Sequence, residues 1–124
     1  MPRTGLTAGQ LRAKAVESTI HQIRRHGFEK VRLVDVAKEV GVTHAALYGH
    51  FKDKSALLDA VSEKWLNSLE EKLLQVCQKE KDPIARIQEW FFRLHELKRQ
   101  KVTNEPELYK AFDFAAKMKK SFYK

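Results

Sequence analysis

Val34 to Phe51 read VDVAKEVGVTHAALYGHF, and the spacing of apolar residues in and just before this stretch decides the fold. Leu33, Val36, Ala37 and Val40 recur at i, i+3, i+4 and i+7, a complete apolar face in two helical turns. Gly41 tolerates the left-handed backbone angles that end such a helix. Thr43 is then a good N-cap for a second short helix reaching about His50, with Leu47 and Phe51 as its inward anchors. A helix-turn-helix needs a small residue where the helices touch, a glycine in the turn and apolar residues on either side. Ala37, Gly41 and the set Val36, Val40, Val42 and Leu47 supply them. Two helices this short bury little alone, so they must lean on their neighbours.

Working outward, the flanking sequence is helical as well. A first helix opens with Thr7 and Gln10 in capping-box spacing, turns Leu11, Ala15, Val16, Thr19, Ile20 and Ile23 inward, and stops at Gly27, after which Phe28 tucks the connection into the core. A fourth starts near Asp53 and carries Leu58, Val61, Trp65, Leu69, Leu73 and Val76 up to about Lys79. At 1.5 Å per residue it would span about 38 Å, long enough to join two regions of a protein. Asp82 and Pro83 open a fifth helix with a stripe of Ile84, Ile87, Phe91 and Leu94, expected to face inward. Asn104, Glu105 and Pro106 open a sixth, with Leu108, Phe112 and Ala115 inside. No stretch alternates as a half-buried strand would, so the fold is all-α.

Composition narrows the function. The 124 residues are 43% hydrophobic and 32% charged, as in soluble globular proteins, and a net charge of +8 favours polyanionic partners. Arg3, Arg12, Lys14 and Glu17 break up the N-terminal stretch, which reads as neither signal peptide nor membrane span, so a cytoplasmic protein with no membrane partner is expected. Cys77 stands alone, and His21, His26 and His95 lack a second ligand at i+4, so no metal site is expected. There is no GxSxG, P-loop or HExxH motif. The reading is therefore of a non-enzyme with no catalytic residues and no cofactor.

Gly27, Val36, Ala37, Gly41, Val42, Thr43, Leu47, Tyr48, His50, Phe51, Lys54 and Leu57 together resemble the TetR family of bacterial regulators, over roughly Gly9 to Leu69. The resemblance implies a three-helix DNA-binding head at 9–69, its helix-turn-helix at about 32–51. A long linking helix follows, then a partial all-helical ligand-binding and dimerisation domain at 70–124. It further implies a homodimeric repressor of transcription that answers to a small-molecule inducer, although it names no inducer-binding residue. A family body has several more helices than follow here, including those of the dimer's four-helix bundle. Two positions depart from the family pattern: Arg32 stands where a capping Thr is common, and Gly49 where a larger residue is.

Roles follow from this placement. The third helix should enter the major groove with Thr43, His44, Ala45 and Ala46 toward base edges. The two alanines can offer only apolar contact, so specificity leans on His44, Thr43 and DNA shape. Arg32, Tyr48, His50 and Lys54 are expected to clamp the phosphate backbone. Residues 1–54 carry ten basic and five acidic groups, against fourteen and eleven in the remainder, so the denser surplus lies with the head. The alternative is a non-catalytic interaction or dimerisation module, or a truncated regulator fragment without function; DNA retention at moderate salt separates them. Trp90, Phe92, Phe112, Phe114, Phe122 and Tyr123 are more aromatic surface than a monomer readily covers, which predicts an oligomer or a poorly soluble fragment.

Overall fold

A computed structural model describes the backbone of residues 6–122 and the side chains of residues 6–118. The expected exposure of Phe122 and Tyr123 thus falls outside the described side chains. The described chain is helical throughout: α1 (Ala8–His26), a 3₁₀ turn (Phe28–Lys30), α2 (Leu33–Val40), α3 (His44–Tyr48), α4 (Lys54–Lys79), α5 (Pro83–Asn104) and α6 (Pro106–Phe122).

Side-chain caps set most of the starts. The Thr7 hydroxyl accepts from the Gln10 amide at 3.1 Å while the Gln10 side chain accepts from the Thr7 amide at 2.9 Å, completing the capping box. Thr43, Asp53 and Asp82 accept from the amides three residues on, at 3.1, 2.9 and 3.0 Å. Each such cap is worth about 1 kcal/mol. Arg32 precedes α2 without a side-chain cap. Gly49 caps the end of α3, which therefore stops at Tyr48 and not at about His50. Glycine holds helix poorly, and the chain must turn here to feed the Asp53 cap of α4.

Ala15, Ile23, Val36, Leu47, Phe51 and Leu57 are fully buried and form the centre of the core. Leu108, Ala111 and Ala115 of α6 join the same cluster, so α6 folds back onto the head elements. Phe114 of α6 meets Phe28 at a ring separation of 5.3 Å. Arg24 of α1 grips Glu105, the residue before α6, through two hydrogen bonds of 2.8 and 2.6 Å. This fork holds the Glu105 carboxyl below the usual carboxylate range and raises the Arg24 guanidinium.

The fifth helix departs from expectation. Ile84, Ile87 and Phe91 are 69%, 59% and 60% exposed, and Leu97 is the buried residue of α5. The inward face runs through Trp90, Leu94, Leu97 and Lys101, spaced four, three and four apart. It is thus rotated from the Ile84, Ile87 and Phe91 stripe, with Leu94 at the edge of both. The run of apolar residues around Trp90 to Phe92 fits two helical faces, and periodicity alone could not choose between them.

Candidate nucleic-acid interface

The turn between α2 and α3 is set by one backbone requirement. Gly41 takes φ 89° and ψ 30°, the left-handed region that side chains disfavour, although a Cβ there would meet nothing within 4 Å. Its amide and that of Val42 both donate to the Ala37 carbonyl, at 2.9 and 3.0 Å, closing the end of α2. Thr43 then starts α3.

α3 has two faces. Leu47 is fully buried and pins the helix to the core. On the remaining surface Thr43, His44, Ala45, Ala46 and Tyr48 are all exposed. The rings of His44 and Tyr48, one turn apart, lie 4.7 Å from centre to centre at 54°, so they form one aromatic ridge along the helix. The four residues expected to face base edges are therefore contiguous and accessible at the leading end, with Tyr48 behind them.

The four expected clamps are placed differently from one another. Arg32, 72% exposed at its side chain, lies at the start of α2 and pairs loosely with Asp35 at 3.2 Å. His50 is half-buried in the connection to α4. Lys54 opens α4, but its ammonium donates to the Glu29 carbonyl at 2.9 Å, which ties α4 to the 3₁₀ turn. Partial burial lowers its pKa. Two of its three protons remain for another acceptor.

Two supports of this surface escaped the sequence reading. Arg12 of α1 lays its guanidinium 4.7 Å from the centre of the Phe51 ring and donates to the His50 carbonyl at 3.4 Å. It thereby braces the corner between α3 and α4. Glu39 of α2 accepts from Ser18, from Gln22 at 3.2 Å, and pairs with His21 Nδ1 at 2.7 Å, all on α1. The Ser18 hydroxyl, then Gln22 and His21, hold the Glu39 carboxyl below its ordinary range. These polar contacts reach across 17 to 38 residues of sequence, and no periodicity announces them.

Residues 15–61 match the family model of bacterial regulatory proteins of the tetR family. This stretch, from α1 to the first turns of α4, is thus a DNA-binding head of the tetR kind. Over 91 residues it is 34% identical to the "Probable acrEF/envCD operon repressor" of Escherichia coli (strain K12), covering 70% of this chain and 40% of that protein. It is 35% identical over 69 residues to the HTH-type transcriptional regulator TtgR of Pseudomonas putida, covering 56% of this chain and 31% of that one. The chain thus spans less than half the length of these relatives. Among solved structures, a TetR family transcription regulator from Marinobacter aquaeolei VT8 superposes with a TM-score of 0.59 at 27% identity, over 83% of this chain and 52% of that one. The fatty acid degradation regulator FadR from Bacillus halodurans gives 0.63 at 15% identity, over 90% and 63%, a likeness of fold alone.

Among the described residues no helix is long and apolar enough to cross a membrane, and no group of three or more His, Cys, Asp or Glu could hold a metal ion.

Proposed function

We propose that this TetR-type chain is a transcription regulator that binds duplex DNA in a sequence-specific way, as one half of a homodimer, and represses the genes it sits on. The observation that carries the reading is the division of α3: Leu47 sealed in the core, and Thr43, His44, Ala45, Ala46 and Tyr48 presented outward at the end a recognition helix inserts into the major groove. His44 and the Thr43 hydroxyl would read base edges, with Ala45 and Ala46 limited to apolar contact such as a thymine methyl. Arg32, Tyr48, His50 and the remaining Lys54 protons would take phosphates. The name of the E. coli relative supports repression, and the apolar residues left exposed on α5 support self-association. A small inducer and a cytoplasmic location complete the proposal, as the family suggests.

Selection of bound duplexes from a random pool tests it, followed by Tyr48→Phe, Arg32→Ala and His44→Ala on the selected site. The clamps should weaken binding uniformly across sequences, whereas His44→Ala should relax preference at one or two base positions by about 1–3 kcal/mol. Recovery of no enriched duplex from folded, soluble protein would contradict the reading.

A further inference from the structure

Between the head and the later helices lies an open cleft of about 420 Å³, walled by Ile20 of α1, Val61 and Trp65 of α4, and Leu108 and Phe112 of α6. Trp65 and Phe112 meet edge to face at 4.4 Å, giving it a rigid aromatic side. The volume lies in the range of sites that hold small organic molecules. Lys101 of α5 contributes the polar element. It is half-buried, its ammonium lies 5.6 Å from the centre of the Trp65 ring, and that ammonium makes no hydrogen bond or close ion pair among the described residues. Burial accordingly lowers its pKa.

Of the surrounding charges Glu105 favours that ammonium, while Arg24 and Lys72 oppose it. Arg24 also lines the cleft but spends its guanidinium on Glu105. Lys64 and Glu17 stand at the exposed rim. Arg24, Lys64, Lys72 and Lys101 thus face two carboxylates, Glu17 and Glu105, a surplus of two positive charges beside an apolar, aromatic floor.

We propose that this cleft binds a small amphiphilic carboxylate, its apolar body against Trp65 and Phe112 and its carboxylate on the Lys101 ammonium. An occupant would touch α1 and α4, which position α3, together with α5 and α6, and so would link ligand binding to the set of the head. The link to DNA rests on the function proposed above; the binding itself does not.

Calorimetric titration with 2-naphthoate and its uncharged counterpart 2-naphthamide separates the two. Naphthoate should bind wild-type protein about tenfold or more tighter than the amide, the weight of one charge-assisted contact. Lys101→Met, which keeps the apolar stem, should abolish that preference, and Lys101→Arg should retain it. Phe91→Ser, on the exposed stripe of α5, should leave binding intact, which distinguishes the cleft from loose adsorption there. Circular dichroism checks that each variant remains folded. Equal binding of acid and amide, naphthoate binding unchanged by Lys101→Met, loss of binding in Phe91→Ser, or no heat up to millimolar naphthoate would each overturn the proposal, whatever the protein does with DNA. If binding holds, naphthoate should also shift affinity for a selected duplex in wild type but not in Lys101→Met. An unchanged affinity would overturn the link to the head while leaving the site in place.

Discussion

The core beneath α3 and the outward stripe of α5 are built from the same kinds of residue and end in opposite states. Leu47, Phe51, Val36 and Ile23 are sealed by four helices, while Ile84, Ile87 and Phe91 stay more than half exposed. The contrast shows where the chain is self-sufficient. The short α3 rests on a buried core assembled from α1, α2, α4 and the returning α6. The stripe on α5 has no comparable cover within the described chain, so its truncation should cost folding little.

The largest effect should come from breaking the platform. Leu47→Ala removes the anchor of α3 and should cost about 2–5 kcal/mol in urea or thermal unfolding, since the site cannot collapse around a helix of five residues. A loss below about 1 kcal/mol would mean that α3 is held by something other than this core. The same truncation on α5 should do little to stability. Phe91→Ser should shift unfolding by about 0.5 kcal/mol or less, yet should reduce self-association in sedimentation. A strongly destabilised, still associating variant would reverse the comparison.

A smaller effect sharpens the picture of how the platform is braced. Glu39 and Glu105 both have pKa values lowered from 4.5, Glu39 by Ser18 foremost and Glu105 by Arg24. A carboxyl depressed by folding contributes stability above its unfolded pKa and loses it as pH falls through the folded value. Acid unfolding of the wild type should therefore steepen below about pH 4.5. Glu39→Gln and Glu105→Gln should each flatten that descent while changing stability at pH 7 by no more than about 1 kcal/mol, because both carboxyls keep access to solvent. Identical acid profiles would show that neither brace depends on charge.

The parts legible in the sequence are those written in short-range code. Thr7 with Gln10, Thr43, Asp53 and Asp82 mark helix starts by contacts three residues long, and Gly41 marks a turn by the angle it alone accepts readily. The inward and outward faces of α3 followed from Leu47 and Phe51. The orientation of α5 did not, because Trp90, Phe91 and Phe92 are adjacent apolar residues and neighbours decide which of them turns in. Arg12 on Phe51, Glu39 on α1 and the Arg24 fork to Glu105 were silent for a different reason. Each joins residues distant in sequence through polar contacts, and only the folded chain brings them together.

If the leading edge of α3 docks in duplex DNA while neighbouring cations hold the strands, binding to a selected duplex must weaken steeply with salt. Fluorescence anisotropy between low and moderate salt should give a log-log slope of about −5 to −7 for a dimer in which each subunit holds three or four phosphates. His44→Ala should lose sequence preference at an unchanged slope. Folded, soluble protein that bound no duplex in dilute buffer, or that bound all duplexes alike with and without His44, would contradict it.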